Sequence, residues 1–195
     1  MPLHNVLVKR GDAIIRRLPR NACMAEVGVL IGKLSEYLLH TRRDIKLLMI
    51  DSWAPADEQP DSYKKTRDVH STHDVVRVNK HKEEAANRAR HYPGRAHIMH
   101  MTSLEAAQDI EDYSLDLVFL DADHSYEGVK ADLMAWVHKV KAPDGWIGGH
   151  DYANPEPGYD FSGVERAVKE WSHGRDIELD GNYTWFCRPW KRLGF

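Results

Sequence analysis

Residues 115–133 read LDLVFLDADHSYEGVKADL. Leu117, Val118, Phe119 and Leu120 make a short apolar run, which stops at Asp121, Asp123 and His124. The segment that follows, SYEGVKADLMAWVHKV (125–140), is amphipathic at helical spacing. A short apolar run bounded by polar residues and followed at once by a helix reads as a buried strand of an α/β sheet. The stretch GWIGGHDY at 145–152 ends in the same way, in His150 and Asp151. The two endings read as halves of one site.

Working outward, the same alternation extends along the chain. CMAEVGVL (23–30), IKLLMID (45–51), AHIMHM (96–101) and WIGGHD (146–151) read as further strands. KLSEYLLHT (33–41), HKEEAANRARHY (81–92) and SLEAAQDI (103–110) read as helices, the last with Ser103 as its N-cap, and Pro93-Gly94 stops the second. After residue 153 come a loop, a helix over 163–171 and strands near DIELD and TWFCRPW. Strand–helix alternation predicts a mostly parallel, doubly wound α/β sheet with helices on both faces. Ligands of such sheets bind outside the carboxyl ends of the strands, where Asp51, Asp121 and Asp151 fall. Residues 54–80 break the rhythm. They are long, polar and Pro-bearing, and read as a loop that is either disordered or, as expected here, a mobile lid over the site.

Length and composition fit one domain spanning 1–195, with the lid as an insert. Hydrophobic residues make up 42% and charged residues 29%, and the net charge is −3. That balance gives no field favouring nucleic acid or an anionic membrane. No apolar run approaches the ~20 residues of a membrane helix. The charged N-terminal segment does not read as a signal peptide. Cys23 and Cys187 are isolated thiols rather than a C-x-x-C pair, which fits a cytoplasmic protein.

Three places carry candidate chemistry. In EVGVLIGKLS (26–35) Gly28 and Gly32 flank a strand-to-helix turn, where the backbone can approach a ligand closely. Asp51 closes the next strand, placed to accept ribose hydroxyls, and Trp53 either stacks on a base or covers the core. Asp121, His150 and Asp151 offer oxygen and nitrogen ligands for a divalent cation. Asp123 reads as the cap of the following helix. His97, His100 and His138 read as packing or surface residues. His70 and His73, in the insert, read the same way or as part of a lid lining.

Taken in order, AEVGVLIGKLSEYLL, IDSW, MTSLEAA, LDLVFLDADHSYEGVKADLMAW and APDGWIGGHDY resemble class I S-adenosylmethionine-dependent methyltransferases. The DADHSYEGV…GGHDY form is similar to the small-molecule and sugar O-methyltransferase subgroup called methyltransferase family 24. The resemblance spans roughly residues 20–190. It implies a Rossmann-like sheet with an antiparallel C-terminal strand, and transfer of a methyl group from S-adenosylmethionine to a hydroxyl of a small molecule or sugar. It implies that Glu26, Gly28 and Gly32 hold the methionine part of the cofactor, Asp51 the ribose, and Trp53, Thr102 and Ser103 the adenine side. Relatives often carry Asp at the position of Thr102. Asp121 corresponds to a cofactor or metal contact. In metal-dependent sugar methyltransferases a D-x-x-H supplies metal ligand and base, which correspond to Asp121 and His124. Those relatives continue with Glu-Asp; here His150-Asp151 stands in that place, so His150 is a ligand beside Asp151 or a second base. The cation would be Mg²⁺ or Mn²⁺. The expected partners are a small-molecule or sugar acceptor, with no nucleic acid and no membrane, and a homo-oligomer is compatible. Two other classes remain: a non-catalytic cofactor-binding protein, and a nicotinamide-dependent oxidoreductase, which shares the Gly-rich turn and the acid after the second strand.

Overall fold

The computed structural model describes residues 3–190; the expected domain span of 1–195 runs past it at both ends. In chain order the elements are α1 (Leu3–Ile15), β1 (Cys23–Val27), α2 (Lys33–Thr41), β2 (Lys46–Asp51), α3 (Asp61–Lys65), a 3₁₀ turn (Val69–Thr72) and α4 (Val75–Ala89). They continue with β3 (Ala96–His100), α5 (Ser103–Asp109), β4 (Leu117–Leu120), α6 (Tyr126–Trp136), β5 (Trp146–Gly149), α7 (Ser162–Ser172), β6 (Glu178–Asp180) and β7 (Thr184–Cys187). A second 3₁₀ turn, Val137–Lys139, extends α6.

The strands form one sheet of seven in the order β3-β2-β1-β4-β5-β7-β6. Strands β1 to β5 pair in parallel, and β7 runs antiparallel to both β5 and β6. Order reverses between β1 and β4, which start the two halves of the sheet. The carboxyl ends of those two strands therefore flank the crevice where ligands of such sheets bind.

Strand periodicity explains the two cores. In β4, Leu117 and Phe119 point to one face and Val118 and Leu120 to the other. Leu117 and Phe119 join Met24, Leu47 and Met49 against Ile14 of α1, Leu38 of α2 and Ala85 of α4. Val118 joins Val27, Ile50 and Ile147 against Leu133 and Trp136 of α6 and Val164 and Val168 of α7. A strand covered on both faces must be apolar throughout, which is why LVFL looks continuous rather than alternating.

Several local expectations need correction. The helix expected at 81–92 begins six residues earlier, at Val75, because Asp74 caps it by accepting from the Arg77 N–H at 2.8 Å. The insert is therefore shorter than 54–80 suggested, and it is folded. It holds α3 and the 3₁₀ turn, and Tyr63, Thr66, Asp68, Ser71 and His73 are buried within it. The N-cap of α5 is Thr102, not Ser103, and it forms a reciprocal capping box with Glu105. The N-cap of α6 is Ser125, not Asp123; Asp123 instead accepts from the Ser125 N–H at 2.8 Å and sets the turn. The first strand ends at Val27, since Gly28 turns away with a positive φ. Finally, α1 was not anticipated, because its charged residues obscure the apolar stripe that places Ala13 and Ile14 in the core.

Candidate active site

The carboxyl ends of β4 and β5 bring together Asp121, His124, His150 and Asp151, as the paired strand endings predicted. Nε2 of His124 lies 3.3 Å from Oδ1 of Asp121 and 3.2 Å from Oδ2 of Asp151. Nδ1 of His150 lies 3.4 Å and 3.0 Å from the same two oxygens. Two imidazoles thus face each other across one pair of carboxylate oxygens. The turn after β5 makes this possible: Asp151 adopts φ +59°, a left-handed conformation that Asp tolerates better than most residues. The amide of Asn154 then holds its other oxygen at 2.6 Å.

Three further residues, missed in the sequence, complete the cluster. Asp68, from the insert, accepts from Nδ1 of His124 at 2.7 Å. Arg10, from α1, donates to Oδ2 of Asp121 and, at 2.8 Å, to Nε2 of His150. The side-chain amide of Asn182, just before β7, lies 2.6 Å from that same Nε2. A guanidinium has no acceptor, so Nε2 of His150 accepts and its Nδ1 carries the hydrogen that points at the carboxylates. No spacing rule links residues 10, 68 and 182 to residue 121. Only the folded topology does.

The charges offset one another. Burial alone would push the His124 imidazole down. The hydrogen bonds to Asp121 and Asp68 and the charge of Asp151 outweigh it and raise His124 to about 10. Burial would raise the Asp121 carboxyl, but Arg10, with the two histidines, holds it well below the usual carboxylate range. Asp151 is held down in the same way, against burial, by His150 and His124. Buried ions persist only where partners and hydrogen bonds offset desolvation, and here every member has both.

Among the described residues, the groups whose donor atoms converge within 4.8 Å are Asp121, His150 and Asp151. Two hard carboxylate oxygens and one imidazole nitrogen fit a divalent cation, with Mn²⁺ suiting the nitrogen better than Mg²⁺. The His124 imidazolium and the Arg10 guanidinium now supply the positive charge that such a cation would bring.

The candidate cofactor residues line the rim of β1 and β2. A methyl group on Gly28 would meet the Asp121 carbonyl oxygen at 2.1 Å, and the residue has φ +92°, so only glycine fits. Gly32 has φ +76° at the start of α2. Asp51 spans the turn. Its Oδ2 accepts from the N–H groups of Val29 and Leu30 at 2.9 and 2.8 Å, and its Oδ1 from that of Trp53 at 2.7 Å. Burial raises the Asp51 carboxyl despite these bonds. Trp53 is buried, donates to the Leu30 carbonyl at 2.8 Å, and packs beside His100, so covering the core is one of its roles. Thr102 follows β3 on the same rim. The Ser103 hydroxyl is turned inward, donating to Asp132 at 2.5 Å and accepting from Trp136 at 2.8 Å.

A family model described as a methyltransferase domain, family 24, matches residues 25–152. The chain belongs to this methyltransferase domain family. The match begins in β1 and ends at Tyr152, so it includes every candidate site residue of the sequence reading, while Arg10 and Asn182 fall outside it. A curated relative, the uncharacterized protein y4gI of Sinorhizobium fredii, is 39% identical over 62 residues. That match spans 32% of this chain and only 7% of the relative. Among solved structures, CalS11, a calicheamicin methyltransferase, aligns with a TM-score of 0.66 and 15% identity over 95% of this chain and 79% of its own. A SAM-dependent methyltransferase from Thiobacillus denitrificans, in complex with S-adenosyl-L-homocysteine, aligns with a TM-score of 0.51 and 18% identity over 77% of this chain and 48% of its own. At these identities the structures establish the Rossmann-like methyltransferase fold.

Glu26 is expected to make the stability of this domain pH-dependent. Its carboxyl is buried at the end of β1 and accepts from the Ser35 hydroxyl at 2.5 Å. Burial pushes it up to about 8 despite that bond. A raised folded-state value means stability is fully present below the ordinary 4.5 and is lost as pH rises through about 8. Denaturant unfolding of the free protein should therefore weaken over that window by a few kcal/mol, and Glu26→Gln should flatten the decline. An unchanged slope in the variant would reject the assignment.

Proposed function

We propose that this methyltransferase moves the methyl group of S-adenosylmethionine to a hydroxyl of a small molecule or sugar, with Asp121, His124, His150 and Asp151 as the acceptor-activating site. The observation that carries the reading is the position of that cluster. It lies beside the Gly28 turn, so a donor held there would direct its methyl toward the imidazoles. Glu26, Gly28 and Gly32 would hold the methionine part, Asp51 the ribose hydroxyls, and Trp53, Thr102 and Ser103 the adenine side. Ser103 would act there through its backbone. The ammonium of the donor, placed near Glu26, would favour its carboxylate form. The insert before α4 would cover the acceptor and deliver Asp68.

The sulfonium methyl is already electrophilic, so the enzyme's task is alignment and proton removal. Holding the reactants in line is worth roughly 7–11 kcal/mol. His124 is the base, oriented by Asp68 through Nδ1 so that Nε2 faces the site. In the resting site it is protonated; with a cation held on Asp121 and Asp151, those carboxylates would no longer raise it, and its Nε2 proton would pass to solvent, leaving that nitrogen to accept the proton of the acceptor hydroxyl. Asp121, His150 and Asp151 would hold a divalent cation, which would lower the pKa of the hydroxyl and orient it. His150, placed between the same carboxylates, is the second-choice base. A nicotinamide oxidoreductase would use the Gly28 turn and Asp51 but would leave this carboxylate–imidazole cluster without a task.

Calorimetric titration with S-adenosylhomocysteine tests the donor half. Asp51→Ala should weaken binding by roughly 1.5–3 kcal/mol, the usual loss of a hydrogen bond to a charged group. Unchanged affinity would remove Asp51 from the binding site.

A further inference from the structure

Three imidazoles meet next to Asp68, outside the site described above. The ring centroids of His70 and His73 are 5.1 Å apart, and those of His73 and His81 are 4.9 Å apart, both pairs edge to face. His73 is only 5% exposed. Its Nε2 is buried without a hydrogen-bond partner among the described residues, and so is Nδ1 of His81. Leaving a buried polar atom unpaired is costly, and two such atoms on touching rings are not what packing alone selects.

We infer that His70, His73 and His81 form a binding site for a transition-metal dication, with Zn²⁺ the ion that suits them best. Imidazole nitrogens suit zinc and its neighbours rather than Mg²⁺ or Ca²⁺. Chain geometry supports the grouping. His70 lies in the 3₁₀ turn and His73 is its C-cap residue, and positions three apart in such a turn eclipse. His81 comes from α4, which starts just after. His73 and His81 supply the two unpaired nitrogens. The donors of all three do not yet converge, but His70 is exposed, so its ring can rotate to add a third without repacking. Water would complete a tetrahedron.

The ion would join the turn to α4, and the turn is tied to the catalytic cluster. Asp68 is the N-cap of the turn, accepting from the His70 N–H at 2.9 Å through Oδ1 while its Oδ2 holds His124. Fixing His70 and His73 thus fixes the carboxylate that orients the candidate base. The site itself rests on the three histidines and not on the reaction proposed above.

The test uses the untagged full chain, stripped with chelator and titrated with Zn²⁺ by calorimetry. Asp151→Asn removes a ligand of the other candidate cation site and should leave this one intact. In that background one Zn²⁺ should bind, and adding His81→Asn or the exposed His70→Asn should weaken it by roughly tenfold or more. Amides of residues 66–73 should exchange more slowly with Zn²⁺ present. The proposal is overturned if Asp151→Asn binds no Zn²⁺, or if both histidine variants bind it as tightly as their parent. His70→Asn changes only an exposed side chain, so loss of fold cannot account for its result.

Discussion

His124→Ala should leave S-adenosylhomocysteine binding intact and cut turnover by about 10²–10⁴, the usual contribution of a general base. The imidazole faces Asp121 and Asp151 through one nitrogen and is held by Asp68 through the other. Its ring packs edge-on against Tyr63 and Phe161. The alanine variant removes a buried cation from among three carboxylates, so its stability must be measured alongside. Asp68→Asn supplies a control: it keeps the shape but weakens the orientation of His124, and should lower turnover less than His124→Ala does. Full activity of His124→Ala would leave the imidazole as a packing residue at the entry to α6 and pass the base role to His150.

The second large effect is expected at Asp151. Asp151→Asn keeps a side chain that accepts the left-handed backbone, whereas alanine would add strain there. It removes one of the two charges between the imidazoles. Turnover should fall by about two orders of magnitude or more, in line with losing a charged group that stabilises the reacting centre. The remaining activity should no longer respond to added Mg²⁺ or Mn²⁺. In the parent enzyme, chelator should abolish turnover. Full parent activity in chelator would assign the positive charge of the site to Arg10 and His124 alone. The Arg10 guanidinium already bridges Asp121 and His150, so the site has a resident cation with which any metal must compete.

The parts of this architecture that were legible in the sequence are those governed by local rules. LVFL is apolar because β4 is covered on both faces, and the abrupt change at Asp121 marks where the strand leaves the core. The same rule located β2 at Asp51 and β5 before His150. Gly28 was legible because a strand-to-helix turn this tight forbids a side chain, and the 2.1 Å approach of the Asp121 carbonyl gives the physical reason. Helix boundaries were less legible, since several residues could serve as caps. Asp123 and Ser125 both can cap a helix, and the choice depends on which oxygen the turn presents to the Gly128 N–H. Arg10, Asp68 and Asn182 were not legible at all. Each reaches the site from an element remote in sequence, and each is of a type common on surfaces. Of the insert, its position could be read, but its length was overestimated, because Asp74 starts α4 at Val75. That it folds around Tyr63, Thr66 and Asp68 could not, because its burial comes from small polar contacts rather than an apolar period.

The most direct test of the central claim is calorimetric titration of the unmodified protein with S-adenosylhomocysteine and, separately, with NAD⁺. The account predicts saturable binding of S-adenosylhomocysteine and none of NAD⁺. Binding of NAD⁺ in preference, or no binding of S-adenosylhomocysteine by folded protein, would contradict it.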